Sequence, residues 1–554
     1  MLSQTKKWNI LDKRKVKSEK EIVEVLLRNR GIKTEKEKKE FFKPIDPMKI
    51  TLKSLDIKET EVEKAIDRIK KAKKSGEHVI IYGDYDADGI TGTAAMWETL
   101  HELGIFVLPH IPERFSEGYG LNLESVKKLK KDDPKLGLII TVDHGITAGE
   151  KIDETRKLGI DMIITDHHQV GKKLPIPLAL IYTTKIGGSA LAWFFAREVL
   201  RSFKYRVSGI ESRLELAAIG TIADQLPLIG PNRSIVKYGL EILNRTRRPG
   251  LLALFDEARL TEIGPYEVGF MIAPRINSMG RLKHGLESLR LLCTRDKVKA
   301  FRIAGNISRT NQERQKIVDQ VVLHARNSYK KIEKQFVIVL ADEGYHEGVI
   351  GLAAAKLVEE FYRPAIVLSK KGKISKASAR SISGFNIIEA IRKLDKLYIE
   401  GGGHPMAAGF SIETRNIDLF TKEINKIAGG FITKDLLQRK VKIDLEINFE
   451  EINPSLIARM KEFEPTGLGN PTPTFVSKDI EIVDAKTVGR DAKHLKLKLK
   501  QHEQVFDSIF FGGGENYSKL TPGVNMDIAY QIEENLWNGY KNIQLKIKDI
   551  KPET

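Results

Sequence analysis

Short apolar runs alternate with longer amphipathic stretches between residues 77 and 225 of this chain. Three of the runs are rich in β-branched residues: Val79–Tyr82, Leu138–Val142 and Met162–Thr165. Continuous apolar runs of this length are typical of strands buried on both faces of a parallel sheet. The segments Thr91–Gly104 and Gly149–Leu158 between them have helical spacing. The pattern therefore predicts an α/β fold with a doubly wound parallel sheet.

Helical patterns dominate on both sides of this region. Residues 1–45 are charged and helix-prone, and residues 60–74 predict an amphipathic helix that leads into the first strand. Strand signals are few over residues 235–330. The polar, proline-free run Asp296–Ile332 predicts a long helix that connects two lobes.

A second α/β lobe and a β-rich region follow the long helix. In the second lobe, Phe336–Leu340 and Ala365–Leu368 predict strands, Gly348–Glu360 predicts a helix between them, and the lobe ends near Gly430. The last region instead has short alternating segments separated by turn signals, and these are His494–Lys500, Val505–Phe511 and Ile543–Lys548. Evenly spaced short strands predict a small β-barrel.

Composition narrows the class of protein. The chain has 554 residues, a net charge of +18 and one cysteine, Cys293, so an intrachain disulfide and a thiolate metal cluster are excluded. No apolar run approaches the length of about 18 residues that a membrane span needs, and the first 20 residues lack a signal-peptide core. We therefore expect a cytoplasmic protein. The positive charge favours a polyanionic partner, although a lysine-rich proteome would give the same excess.

Acidic and imidazole residues directly follow each of the three apolar runs. The strings are Asp84–Gly89 (DYDADG), Asp143–Gly145 (DHG) and Asp166–His168 (DHH), and Asp224 ends a later apolar run. Each string alone could be a solvated turn or a pair of unrelated histidines. The carboxyl ends of neighbouring parallel strands meet at one edge of a sheet, where ligands bind. The three strings and Asp224 together predict a site for Mn²⁺ or Mg²⁺ that carries out two-metal hydrolysis of a phosphoester. The candidate ligands are Asp84, Asp86, Asp88, Asp143, His167 and Asp224, with His144 and His168 beside the metals or facing a substrate phosphate.

Cations, hydroxyls and glycines elsewhere in the chain are candidates for phosphate binding. An exposed turn or a solvated strand would look the same at each of these positions. Glycines allow backbone N–H groups to approach an anion, and arginine binds phosphate with two parallel hydrogen bonds. The candidates are Arg114, Asn277, Arg281, Ser378, Arg380, Gly402, Gly403 and His404. In the predicted barrel, Trp537 is a candidate platform for base stacking or a core residue, and the alternating lysines of His494–Lys500 could follow a phosphate backbone.

The strings GDYDADG, DHG, DHH, GTIADQLPL, PRINSMGR, EGVIGLAAAKL and GGGHPMAAG occur in the order seen in the DHH phosphoesterase superfamily. From about residue 40 onward the chain resembles the RecJ family within it, the bacterial single-strand-specific 5′→3′ DNA exonucleases. The resemblance implies two Mn²⁺ or Mg²⁺ ions, catalytic roles for Asp86, Asp88, Asp143, His167, His168 and His404, and phosphate binding by Arg380. It also implies single-stranded DNA as substrate, work in recombination and repair, and a single-strand-binding protein and a RecQ-like helicase as partners.

The resemblance also names the predicted domains. These are an N-terminal helical segment (1–45), a DHH domain (46–235), a helical region with the connecting helix (236–332), a DHHA1 domain (333–430) and an OB-fold barrel (440–554). Tyr182-Thr183 replaces the Asn-Pro that usually follows the third motif. We expect that the two lobes would fold without residues 440–554.

Two other functions remain open at this point. A phosphoesterase acting on small substrates, such as short oligonucleotides, cyclic dinucleotides or pyrophosphate, would use the same ligands but would not need a C-terminal barrel. A DNA-binding scaffold without catalysis would have lost ligands, whereas every acidic and imidazole position of the strings is filled here.

Overall fold

The N-terminal segment begins with a strand and continues with two helices. In this computed structural model, which describes residues 6–16, 18–171, 173–205, 208–328, 333–537 and 540–552, strand β1 covers Lys7–Asp12. Helices Glu19–Asn29 and Glu35–Phe42 follow it, capped by the side chains of Ser18 and Thr34. The prediction of a helical segment over residues 1–45 is therefore wrong for Lys7–Asp12, which form β1. Its pairing partner lies far along the chain, so local sequence does not reveal it.

The first lobe contains a parallel sheet that is covered by helices. Strands β2 (His78–Gly83), β3 (Val107–His110), β4 (Leu136–Val142), β5 (Asp161–Asp166) and β6 (Ala179–Tyr182) have the order β3-β2-β4-β5-β6. Every residue of β4 is buried, as its apolar run predicts. The helices around the sheet are Glu59–Ser75, Ala87–Glu102, Leu123–Asp132, Gly149–Lys157, Gly188–Ser202, Ser208–Ser212, Leu214–Ala223 and Gly230–Leu243. The predicted α/β class is confirmed.

Helices connect the first lobe to the second. They cover Pro249–Ala258, Pro265–Glu267, the π-helical turn Val268–Ile272, Ala273–Leu282, Leu286–Cys293 and Lys297–Asn327. The last of these is the predicted connecting helix, and the Asp296 side chain caps it. It packs against Pro249–Ala258 and Ala273–Leu282 and also against Ile350–Phe361 of the second lobe.

The second lobe is a mixed sheet with helices. Its strands are β7 (Ile338–Asp342), β8 (Ala365–Lys371), β9 (Ile374–Arg380), β10 (Glu400–His404) and β11 (Ala407–Glu413), in the order β10-β11-β9-β8-β7. Only β7 and β8 pair in parallel among the described strands of this sheet. The helices are Ile350–Phe361, Ile387–Arg392 and Ile417–Gly429.

The C-terminal region is a closed barrel, as predicted. Its strands are β12 (Lys440–Glu446), β13 (Phe475–Val488), β14 (His494–Gln501), β15 (Gln504–Phe510), β16 (Asn525–Trp537) and β17 (Tyr540–Pro552), with helix Pro454–Lys461 between the first two. Pairing of β16 with β13 closes the ring β13-β14-β15-β17-β16. No helix among the described residues is long and apolar enough to span a membrane.

The N-terminal segment shares its hydrophobic core with the barrel. Strand β1 pairs in parallel with β12, so that Lys7 lies beside Lys440. Leu26, Phe41 and the barrel residue Phe463 belong to one buried cluster. Burial of this kind stabilises by about 25 cal/mol per Å² of apolar surface. The barrel is therefore not an independent unit that begins at residue 440, because the N-terminal helices share its core. Deletion of residues 440–554 would expose the apolar faces of both helices.

Arg233 joins the first lobe to this composite domain. Its buried guanidinium donates to the carbonyl oxygens of Phe41, Glu462, Phe463, Glu464 and Pro465. Burial and the nearby Arg30 lower the pKa of Arg233 to about 10. Five carbonyl acceptors from two chain segments fix the barrel against the first lobe.

Candidate metal centre and phosphate cleft

The three polar strings meet at one edge of the parallel sheet. In the register of β2, β4 and β5, Gly83 lies beside Val142, which lies beside Thr165. Each string starts at or just after these positions. As a result, His167 Nε2 lies 3.0 Å from Asp143 Oδ1 and 3.8 Å from Asp88 Oδ2. The end of helix Leu214–Ala223 brings Asp224 Oδ2 within 3.7 Å of the same nitrogen.

The predicted ligands form an acidic cluster, by which we mean Asp84, Asp86, Asp88, Asp143, His167 and Asp224. Their ligand atoms fall into three overlapping groups, each within 4.8 Å: Asp143 with His167 and His168, Asp88 with His167 and Asp224, and Asp84 with Asp86 and Asp143. Asp143 Oδ1 is buried without a hydrogen-bond partner among the described residues. Such an oxygen, surrounded by carboxylates and an imidazole, fits a divalent cation of the Mn²⁺ or Mg²⁺ type.

Burial and mutual repulsion disfavour the ionised carboxylates of the cluster when no cation is bound. Desolvation, followed by the charge of Asp88, raises the pKa of Asp143 well above its ordinary value. The same two causes raise the pKa of Asp224 to about 8. Desolvation, then the charge of Asp86, raises the pKa of Asp84. A cation bound among them would reverse these shifts, because it favours the charged form of each acid.

Backbone groups hold Asp88 in place. Its two carboxylate oxygens accept from the N–H groups of Gly188 (2.7 Å) and Ser189 (3.0 Å), at the start of helix Gly188–Ser202. A Cβ on Gly188 would overlap the Asp143 carboxylate, and a Cβ on Gly220 would overlap the Asp88 carboxylate. Sequence reasoning missed these glycines. Gly220 lies within the apolar run that ends at Asp224, which was a signal available in the sequence, whereas no predicted element included Gly188.

The two histidines that follow Asp143 and His167 differ in environment. His144 is buried, its Nε2 lies 2.9 Å from the Tyr82 carbonyl oxygen, and burial lowers its pKa to about 4. His168 is 44% exposed, and its hydrogen bond with Asp166 raises its pKa. His168 therefore lies at the rim of the acidic cluster, whereas His144 packs into the sheet.

Asp166 organises the third string. It accepts from the N–H groups of Ile146, His167 and His168, and its Oδ1 lies 2.8 Å from His168 Nδ1. The three contacts with His167 and His168 orient this pair, and the contact with Ile146 holds the Asp166 carboxylate. The sequence analysis missed Asp166, although a carboxylate that precedes two candidate ligand histidines is a signal for a group that orients metal ligands.

A cleft between the two lobes contains the predicted phosphate-binding arginines. Its volume is ≈ 670 Å³, and Arg114, Arg281, Ser378 and Arg380 are among its lining residues. We call it the cationic cleft. Arg114 lies 4.0 Å above the Tyr85 ring and donates to the Gly280 carbonyl oxygen, and Arg281 donates to that of Gly348. Within the described residues, none of the three arginines has a carboxylate within 4.0 Å. Burial, then Arg114 and Arg314, lower the pKa of Arg281 to about 10.

The remaining predicted residues lie around this cleft in different ways. Asn277 Oδ1 accepts from the Ala87 N–H, so it supports the first string and does not line the cleft. Gly402, Gly403 and His404 lie on the exposed edge strand β10, outside the cleft lining. Pairing places His404 beside Ala407, which lies beside Arg380, so the histidine shares a row with this arginine.

The side chain of Trp537 lies outside the described residues. Arg314 of the connecting helix, near Arg281, was missed because it belongs to no recognisable string.

Comparison with known families covers most of the chain. Residues 78–221 match the "DHH family, N-terminal domain", residues 333–430 match the "DHHA1 domain", and residues 443–549 match the "RecJ OB domain". These ranges fall inside the predicted domains 46–235, 333–430 and 440–554, whose limits stay predictions.

Curated relatives and a solved structure are similar over nearly the whole chain. The chain is 37% identical over 506 residues to the single-stranded-DNA-specific exonuclease RecJ of Bacillus subtilis (strain 168), covering 88% of this chain and 63% of that protein. The RecJ of Thermus thermophilus is 32% identical over 497 residues, covering 88% of this chain and 70% of the relative. A crystal structure of RecJ in complex with Mn²⁺ from Thermus thermophilus superimposes with a TM-score of 0.84 at 28% identity, covering all of this chain and 81% of that one.

Proposed function

Since this chain belongs to the RecJ family of single-stranded-DNA-specific exonucleases, we propose that it hydrolyses single-stranded DNA from the 5′ end to mononucleotides. One observation carries the proposal. A cluster of carboxylates that fits divalent cations adjoins a cleft of arginines without carboxylate partners in the described residues. A phosphodiester needs both features, because its phosphate must be held while water attacks the phosphorus.

The acidic cluster would hold two Mn²⁺ or Mg²⁺ ions. When bound, the ions supply a water of lowered pKa and neutralise negative charge on the phosphate. Asp84, Asp86, Asp88, Asp143, His167 and Asp224 are the proposed ligands. RecJ from Thermus thermophilus has been solved in complex with Mn²⁺ and in complex with Mg²⁺, and these two structures support this choice of ions.

Residues around the cluster bind and orient the strand. Arg114, Arg281 and Arg380 would hold phosphate groups through charge-assisted hydrogen bonds, with Ser378 as a further donor. His168, whose pKa is raised by Asp166, would carry a proton toward the reacting phosphate. His404 and the N–H groups of Gly402 and Gly403 would contact the phosphate from strand β10. Trp537 would stack on a base.

The protein's setting follows from the same family. We place it in the cytoplasm, in DNA recombination and repair, with a single-strand-binding protein and a RecQ-like helicase as partners. The single cysteine and the excess of positive charge support a cytoplasmic protein that acts on a polyanion. A phosphoesterase for small substrates is disfavoured because such a substrate does not need a C-terminal barrel.

Product analysis with end-labelled DNA tests the proposal. Single and double strands labelled at the 5′ or the 3′ end are incubated with Mn²⁺ or Mg²⁺, and His167→Ala serves as the inactive control. We expect labelled mononucleotide to appear at once from 5′-labelled single strands and only late from 3′-labelled ones. Cleavage restricted to di- to tetranucleotides or pyrophosphate would show a small-substrate enzyme. Binding of single strands without any cleavage would show a scaffold.

A further inference from the structure

A second cavity with several arginines lies at the opposite end of the helix that starts at the acidic cluster. Helix Ala87–Glu102 is capped by Asp86 at one end, and its last turns carry Glu98 and Glu102, which line a cavity of ≈ 390 Å³. With a rise of about 1.5 Å per residue, the two helix ends are about 24 Å apart. Five arginines line the same cavity: Arg213, Arg245, Arg247, Arg248 and Arg295.

Two of these arginines satisfy the glutamates and form the floor of the cavity. Arg248 donates to both oxygens of Glu98, at 2.5 and 3.1 Å, and to Glu215 at 2.9 Å. Arg213 donates to Glu98 at 3.1 Å and lies 2.5 Å from Glu102. The three carboxylates of the lining are thereby engaged by two buried guanidinium groups.

The other three arginines are left with uncompensated charge. Arg245 and Arg247 are exposed lining residues of the cavity, and Arg295 has 88% of its side chain exposed. Arg295 approaches Glu102 only to 4.0 Å, and neither Arg245 nor Arg247 has a carboxylate within that distance in the described part of the chain. Three cations that line the same cavity repel one another, and an anion bound between them would offset this repulsion.

A helix N-terminus adds to this field. Helix Pro249–Ala258 begins at the cavity, where Arg248 and Pro249 are among the lining residues, and the Arg248 side chain does not cap the helix. The positive end of a helix dipole stabilises a nearby anion. The arginines and the helix start therefore favour the same kind of ligand.

We propose that this cavity binds a small phosphorylated molecule, whose phosphate is held by Arg245, Arg247 and Arg295 above the floor of Arg213 and Arg248. Guanidinium forks match phosphate oxygens in geometry and charge. A volume of ≈ 390 Å³ is within the range of sites for small molecules. The site is separate from the metal centre, so the inference does not depend on the proposed function.

Calorimetric titration of the full-length protein with thymidine monophosphate or tripolyphosphate, in the presence of a chelator, tests the proposal. The cationic cleft should provide one class of site and the cavity a second. The variant R245A/R247A/R295A leaves the ion pairs of Arg213 and Arg248 with Glu98 intact. R302A/R392A/R490A removes the same charge from arginines elsewhere on the surface.

We expect R245A/R247A/R295A to lose the class of site that belongs to the cavity, so that affinity there weakens by about 10-fold or more. The control variant should retain both classes of site. Loss for both probes indicates a site for phosphate groups in general, loss for thymidine monophosphate alone indicates a nucleotide, and loss for tripolyphosphate alone indicates a polyphosphate; each result supports the site. Identical titrations for the three proteins would overturn it. So would a variant that binds both probes normally but binds long single strands more weakly, since the arginines would then belong to a strand path.

Discussion

The acidic cluster and the cationic cleft adjoin each other, carry opposite charges and yet do not pair. Asp84 and Asp86 flank Tyr85, whose ring lies beneath Arg114, but no arginine of the cleft reaches within 4.0 Å of a cluster carboxylate in the described residues. The pKa values of the buried acids are raised, and burial lowers those of Arg281 and Arg380. Direct salt bridges between the carboxylates of the cluster and the arginines of the cleft would have compensated both charges.

The difference from an ordinary ion-pair network is visible in the same chain. Around Glu98, two arginines and the acids lie at hydrogen-bonding distance, and the pKa of Glu98 is lowered despite its burial. Arg213 and Arg248 engage the glutamates of that network without a ligand. The cluster and the cleft are each incomplete, which is expected where a cation and a phosphate must enter together.

The largest effect is expected from removing one charge of the cluster. Asp143→Asn and His167→Ala should each reduce cleavage by about 1,000-fold or more, because a ligand of the metals is lost. Binding of long single strands should persist, since it depends on dispersed cations. Gel-shift and nuclease assays measure both quantities, with Asp132→Asn as a control outside the cluster. Parallel loss of binding and cleavage in folded protein would mean that the metals also anchor the strand.

On the cationic side, Arg380→Ala should lower kcat/KM by about 10- to 100-fold, because charge-assisted hydrogen bonds contribute about 1.5–3 kcal/mol. Arg380→Lys should recover only part of this loss, since lysine cannot form the paired contact. Steady-state kinetics on single strands, with Arg392→Ala as the control outside the cleft, measures the effect. Full activity of Arg380→Ala would remove this residue from the phosphate site.

A change beside the cluster should have a smaller effect. Asp166→Asn keeps the shape of the side chain but weakens the contact that orients His168. We expect about a 10-fold loss in Mn²⁺ affinity or activity, as is usual for groups that orient metal ligands. The alkaline limb of the pH–rate profile should move to lower pH, because the pKa of His168 falls without the carboxylate. An unchanged pH profile with lower activity would indicate a purely structural role.

The metal-free protein allows the repulsion in the cluster to be measured. The folded-state pKa values of Asp84, Asp143 and Asp224 are raised, so their contribution to stability is present below the unfolded value of about 4. It is lost as pH rises through the folded values, the value for Asp224 being about 8. With chelator present, Asp143→Asn should therefore gain Tm relative to the parent as pH rises from about 4 to 8. A constant Tm difference over this range would argue against raised pKa values.

The smallest effect concerns charges that face water. Lys496 and Lys498 alternate with the buried Leu495, Leu497 and Leu499 along β14. Replacing both lysines by Gln should reduce the slope of log affinity against log salt by about 1.4, the value for two phosphate contacts to a single strand. Binding curves at several salt concentrations measure the slope, with Lys127→Gln/Lys157→Gln as the exposed control pair. An unchanged slope would mean that this face is only solvated.

The fold and the centre of the site were predictable for a physical reason. In a parallel sheet, apolar runs end at a common edge, so Asp84, Asp143 and His167 could be placed together from one-dimensional spacing. The connecting helix was predictable from its length and lack of proline.

Features that depend on distant partners were not predictable. Strand β1 has an alternating pattern, but its pairing with β12 leaves no local signal. Asn277 is a polar residue on a helix, and only the tertiary structure shows that it supports Ala87. The roles of Gly188 and Gly220 depend on close approach to carboxylates, and Arg314 reaches the neighbourhood of Arg281 because of the path of the connecting helix.

The pairing of β1 with β12 has a consequence for how the protein is made. Strand β1 has no pairing partner until the ribosome has synthesised Lys440, which lies 433 positions after Lys7. At roughly 5–20 residues per second, a ribosome needs roughly 20–90 s to cover that distance. During this time the apolar faces of helices Glu19–Asn29 and Glu35–Phe42 have no barrel to pack against. The nascent chain therefore exposes an apolar segment near its N-terminus, and we expect a chaperone to shield this segment until synthesis is nearly finished.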